Sequence, residues 1–179
     1  MHIMLDLETM GTKPGSVIRS IGAVGFELGA PRQPAGAYLE YYANITRESC
    51  IDAGLTEDSA TVKWWSQQSA EAKDIFADNP VPLPEALSGF YSWFKTVGGK
   101  QIWSQGAAFD VVLAEFAFKA ASMPPVPWKF WDVRDTRTVY EIAGFDHHAA
   151  VRGGIAHYAL DDCKHQIKCV LESLRMLGR

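Results

Sequence analysis

The chain has 179 residues, 47% hydrophobic and 21% charged, the balance of a soluble globular protein rather than a disordered one. Three scattered cysteines, Cys50, Cys163 and Cys169, exclude a disulfide scaffold, and no apolar run approaches the roughly 18 to 20 residues of a membrane span. A net charge of −4, from 17 Lys+Arg against 21 Asp+Glu, argues against a protein that grips duplex DNA along its length, but not against an enzyme that handles phosphates through ions held by carboxylates.

The start, MHIMLDLETM, is too short and too acidic for a signal peptide, so a reduced, cytoplasmic setting is expected. His2 to Leu7 places Ile3, Leu5 and Leu7 on one face and Met4 and Asp6 on the other, the pattern of a central strand buried on both sides. A turn at Gly11 to Gly15 leads to a second strand over Ser16 to Leu28, and Gly36 to Ile45 reads as a third. Short connections between them predict an antiparallel meander.

From Glu57 the pattern becomes helical. Leu83, Ala86, Leu87, Phe90, Trp93 and Phe94 form the apolar stripe of a helix closed by Gly98 and Gly99. Gln101 to Ser104 is a short strand, and a helix follows from Ala108 to Ser122. The last helix carries Leu160, Cys163, Ile167, Val170, Leu171 and Leu174 on one stripe. Pro/Gly stretches at Gly29 to Gly36, Asn79 to Pro84 and Met123 to Pro127 are punctuation rather than domain boundaries. With no internal repeat or low-complexity tract, residues 1–179 read as a single α/β domain, a mixed sheet with helices on its faces.

Three acidic groups could carry chemistry. Asp6 and Glu8, at i and i+2 of a strand, share one face; such a pair suits a divalent cation, but the spacing is common and by itself more often marks the solvent end of a strand. Asp110 opens a helix, where the dipole favours an acid with or without another task. His157 and Asp162 would be rotated about 140° apart on a continuous helix. They can face one site only if His157 lies at or before the helix start, on a turn begun by Gly153 and Gly154. Asp161 and Asp162 are also ordinary first-turn acids.

Taken in order, DLET at Asp6, AAFD ending at Asp110 and HYALDD from His157 to Asp162 resemble the three motifs of the DEDDh 3'→5' exonucleases. The likeness covers nearly the whole chain and implies a ribonuclease H-like fold. Asp58 to Trp65 and Asp132 to Thr138 resemble segments of RNase T-like and phage-type exonucleases. One departure is the Ala at 107 and 108, where many relatives carry an Asn that contacts substrate.

The resemblance implies that Asp6, Glu8 and Asp162 hold one Mg2+ or Mn2+, that Asp6 bridges to a second ion supported by Asp110, and that His157 is general base on the attacking water. The expected reaction releases nucleoside 5'-monophosphates from the 3' end of single-stranded RNA or DNA, RNA being slightly favoured. Met10, Trp64, Trp65 and Phe109 are the candidates for stacking on unpaired bases, although most aromatics in such a chain belong to the core. Small relatives are commonly homodimers, and the Trp/Phe-rich middle offers an interface. Two rival readings are a catalytically weak nucleic-acid-binding module of the same fold, and a zinc protein using His147, His148, His157, Cys163 and His165. The second lacks the paired C-x2-4-C or H-x3-5-H spacing of structural zinc sites.

Overall fold

The computed structural model describes residues 1–29 and 38–179. Its centre is strand β1, His2–Thr9, paired antiparallel to β2, Ile18–Phe26, which pairs antiparallel to β3, Leu39–Asn44. On the other side of β1 lie two parallel strands, β4 at Gln101–Ser104 and β5 at Val133–Asp135. The sheet order is therefore β3-β2-β1-β4-β5. The predicted meander is present, and the parallel half is reached through helical crossovers, as parallel pairing requires. The loop read at Gly29 to Gly36 and the first residues of the strand read from Gly36 lie, apart from Gly29, outside the described residues.

Between β3 and β4 run α1 (Arg47–Asp52), α2 (Ser59–Ser66), α3 (Ala70–Asp74) and α4 (Leu83–Thr96). Helix α5 (Asp110–Ala120) links β4 to β5, and α6 (Thr136–Ala143) and α7 (Ala159–Met176) complete the chain. Among the described residues, no helix is long and apolar enough to cross a membrane.

The alternation of β1 sorts its side chains into two cores. Ile3, Leu5 and Leu7 pack with Ile21 and Ile102 against Leu87, Phe90 and Phe94 of α4 and Phe118 of α5. Met4 packs on the opposite face with Val24, Phe26 and Trp103 against Tyr140 of α6 and Leu160, Cys163 and Ile167 of α7. Helices thus cover both faces. Each hides a hydrophobic layer that the strand pattern alone requires to be hidden.

Several boundaries differ from the sequence reading for identifiable reasons. Helix α5 starts at Asp110 rather than Ala108, because Phe109 has φ −106° and ψ −81°, outside helical geometry. Helix α1 precedes the expected onset at Glu57, and β5 and α6 lie beyond the elements that the sequence pattern marks. The three residues of β5, all half-buried, are too few to display a period.

One glycine matters to the site. Gly22 pairs with Asp6 across the β1–β2 ladder, and a Cβ placed on it would lie 2.6 Å from the Ala159 carbonyl carbon. The start of α7 can rest on the sheet only because no side chain intervenes. Gly22→Ala is expected to cost about 1–3 kcal/mol by overpacking and to lift α7 from β2; urea denaturation checks the first effect. An unchanged midpoint would show that α7 does not depend on this close approach.

Candidate active site

The strand period carries Asp6 and Glu8 onto the face that Met4 begins, toward α7. Asp162 lies in the first turn of α7. His157 lies before that helix, with Tyr158 between them as N-cap, and its φ is +63°. That left-handed residue turns the imidazole back toward the strand. As a result one ligand atom each from Glu8, His157 and Asp162 lies within 4.8 Å of the others. Asp110, at the start of α5, reaches the same end of β1, where its Oδ1 accepts from Leu7 N at 3.1 Å. The structure therefore brings Asp6, Glu8, Asp110, His157 and Asp162 to one place.

This cluster is costly to keep charged. Glu8, Asp110 and Asp162 are each at most 8% exposed, and Asp6 is only partly open to solvent. Lost hydration pushes the Asp6 carboxyl up to about 7, opposed by the Gln166 hydrogen bond and the charge of Arg152. Glu8 rises further, to about 10, through burial first and then the charges of Asp6 and Asp110. Asp110 is raised well above the carboxylate range by burial and by Asp6. Burial, and then Arg152, hold the His157 imidazole below its ordinary value.

A set of buried carboxylates that repel one another and crowd around one opening is the donor chemistry of a hard divalent cation. Asp162 Oδ1 adds to the fit: it is buried and accepts no well-formed hydrogen bond, being instead in ion-pair contact with the Arg152 guanidinium. For the zinc alternative, Cys163 Sγ faces the Met4 and Gly22 carbonyls in the core. Among the described residues, the His/Cys/Asp/Glu group spaced for a metal is Glu8, His157 and Asp162.

Beside Glu8 opens a cavity of about 470 Å³ lined by Glu8, Thr12, Asp58, Trp64, Trp65 and Phe109, among others. The four aromatic and sulfur candidates divide here. Trp64 is 42% exposed and Trp65 only 4%. The Trp65 indole donates to Thr9 O at 2.8 Å and packs edge-on against Phe76, which anchors α2 to the end of β1. Phe109 is half-buried at the mouth of α5. Met10 is buried in the hydrophobic core and does not line the cavity. Both tryptophans set an edge against His157, with ring centres 5.0 and 5.8 Å away.

Three supporting residues escaped the sequence reading. Gln166 Nε2 donates to Asp6 Oδ1 at 2.8 Å; it follows Asp162 by one helical turn, so its i,i+4 spacing was the available signal. Asp135 accepts from Ala107 N at 2.6 Å and caps α6 through Arg137 N, pinning the loop that leads into α5 and Asp110. Arg152 sits on the segment leading into α7, where no periodicity marks it.

Solved structures share this architecture at low identity, which makes them evidence for the fold. The cell-death related nuclease 4 (CRN-4) aligns with a TM-score of 0.61 at 13% identity, over 98% of this chain and 64% of that one, so the present chain spans less than two thirds of that relative. Exonuclease X, in complex with 5' overhanging duplex DNA, aligns with a TM-score of 0.61 at 14% identity, over 100% of this chain and 94% of that one. The nuclease domain of 3'hExo, a DEDDh family member bound to rAMP, gives 0.57 at 14% identity, over 97% and 91%. The sheet order and two-faced helix cover are those of the ribonuclease H-like DEDDh fold. No curated protein matches the chain significantly. Residues 1–174 match the family model of the 3'-5' exoribonuclease Rv2179c-like domain, and the chain belongs to that family.

Proposed function

We propose that residues 1–179 form a single exonuclease domain that removes nucleoside 5'-monophosphates one at a time from the 3' end of single-stranded nucleic acid, RNA in preference to DNA. The observation that carries this reading is the convergence of Glu8, His157 and Asp162 within 4.8 Å, with Asp6 and Asp110 close enough to raise the Glu8 pKa. Family membership supports the polarity and the RNA preference. The rAMP and DNA bound in two of the structural neighbours support a nucleic-acid substrate.

In this reading Asp6, Glu8 and Asp162 would hold one Mg2+ or Mn2+, and Asp6 and Asp110 would hold a second. When bound, such ions polarise the scissile phosphate and offset charge on the attacking and leaving oxygens. The remaining work falls to the chain. His157, kept neutral near pH 7 by burial and by Arg152, accepts the proton of the attacking water. Gln166 holds one Asp6 oxygen, which fixes the orientation in which the carboxylate would meet an ion. The cavity beside Glu8 takes the terminal nucleotide, with Trp64 as the exposed stacking surface.

Trp64→Ala is expected to raise KM for a short RNA by roughly tenfold while leaving kcat within about threefold, since base stacking contributes about 1–3 kcal/mol. Steady-state kinetics on an oligonucleotide substrate measure both. A large fall in kcat with unchanged KM would move Trp64 from substrate binding to support of His157. The whole reading is tested with matched RNA and DNA strands labelled at either end and incubated with Mn2+. Mononucleotide release from the 3' end, faster on RNA, is expected; intact strands or internal cuts would refute it.

A further inference from the structure

Arg152 lies on the approach to α7, 38% exposed, and its guanidinium makes an ion pair with Asp162, whose side chain is 11% exposed. Its charge also acts on Asp6 and Glu8, favouring their ionised forms, and on His157, opposing its protonation. The guanidinium thus reaches from the solvent side to the acid cluster, where it pairs with the buried Asp162 carboxylate. Carboxylates in such a place need a cation. Arg152 is the one they have in the protein by itself, among the described residues.

That position conflicts with the proposed chemistry in an informative way. A divalent ion held by Glu8 and Asp162 would take the oxygen that Arg152 contacts, and the two positive charges would repel. The guanidinium would have to leave, and the chain around it allows a short excursion. Upstream, Val151 O is held by Lys168 Nζ at 3.1 Å; downstream, Ile155 N is held by the Asp161 carboxylate at 2.9 Å. Between these anchors lie Gly153 and Gly154, the latter at φ +76°, so Arg152 can swing without moving α7. Once released at the mouth of the site, a guanidinium has a natural new partner in a phosphate, whose oxygens it can bind in pairs.

We propose that Arg152 is an exchangeable counter-ion: it occupies Asp162 in the metal-free protein, gives way to the divalent ion, and transfers its pairing to a phosphate of the bound strand. This rests on the exonuclease reading above. It makes Arg152 a competitor of the metal before substrate arrives and a ligand of the substrate afterwards.

Titration calorimetry with Mn2+ alone, without nucleic acid, separates the wild type from Arg152→Gln and Arg152→Lys. Arg152→Gln is expected to bind Mn2+ about tenfold more tightly, and Arg152→Lys, which keeps the charge, to stay near the wild type. In EDTA, Arg152→Gln should melt below the wild type, the gap closing when Mn2+ is added. In saturating Mn2+ its affinity for 5'-AMP should fall several-fold. Equal or weaker Mn2+ binding by Arg152→Gln would overturn the exchange, and undiminished 5'-AMP binding would overturn the transfer to phosphate. RNA hydrolysis by the same wild-type preparation keeps the two readings apart. Hydrolysis alongside equal Mn2+ affinities defeats only the exchange, whereas neither hydrolysis nor Mn2+ binding in any of the three proteins defeats both.

Discussion

Asp6→Asn is expected to lower Mn2+-dependent turnover by at least about 10³-fold, a loss of roughly 4 kcal/mol in transition-state stabilisation, while making the metal-free protein more stable. The substitution keeps the shape of the side chain and an oxygen able to accept from Gln166 Nε2, now 2.8 Å from Asp6 Oδ1. What it removes is the negative charge that folding brings into the site. The opposed signs follow from one cause: a group placed for ion binding is a burden on the fold when no ion is there.

The pH dependence of stability gives the same argument a second reading. In the folded protein Asp6 holds its proton up to about 7 and Glu8 up to about 10, whereas in the unfolded chain both lose it near pH 4. Between these limits the native state binds more protons than the unfolded one, so stability falls as pH rises. The half-buried histidines act oppositely: lost hydration lowers His157 and His165, but they titrate at or below about 6.5 and drop out above it. In EDTA the melting temperature should therefore decrease from pH 6.5 to 8.5, less steeply in Asp6→Asn. With saturating Mn2+ the decline should flatten, because the ion holds the carboxylates ionised, so that folded and unfolded chains bind equally few protons at these groups. Thermal melts across this range measure it. A flat profile in EDTA would mean that the acids are well hydrated in solution.

His157→Asn should reduce kcat by about 10²–10⁴-fold, the range of general-base catalysis. Asn suits this position because it tolerates the left-handed backbone that His157 adopts at φ +63°, so lost activity cannot be assigned to strain. Since His157 also lies near Glu8 and Asp162, Mn2+ affinity is the discriminating measurement. An affinity within about threefold of the wild type identifies the imidazole with the attacking water; a parallel fall would make it a ligand instead. At saturating Mn2+, the acid limb of the kcat profile should lie below about 6.5, given the lowered imidazole pKa, and disappear in the variant. Near-wild-type turnover would end the general-base assignment.

The aromatic residues show where the sequence stops being informative. Trp64 and Trp65 are adjacent and chemically identical, yet one is 42% exposed and the other 4%. Their helix is only eight residues long, too short for a period to say which face is buried. The Trp65 indole found its partner at Thr9 O, far away along the chain. Likewise, Phe130 and Trp131 stand 81% and 60% exposed, though their composition resembles that of core residues.

Local order was legible where covalent geometry imposes it. The two-residue period of β1 put Asp6 and Glu8 on one face before any fold was known, and the angular argument on His157 and Asp162 required a histidine ahead of the helix. The structure has it there. Partnerships such as Gln166 with Asp6, 160 residues apart, leave no comparable mark. Nor does the pairing of Arg152 with Asp162, made by a side chain outside any regular element. Periodicity is a property of neighbouring residues and is written into the chain. Which distant side chains meet, and which charges must share a dry site, is decided only when packing closes the sheet against α7.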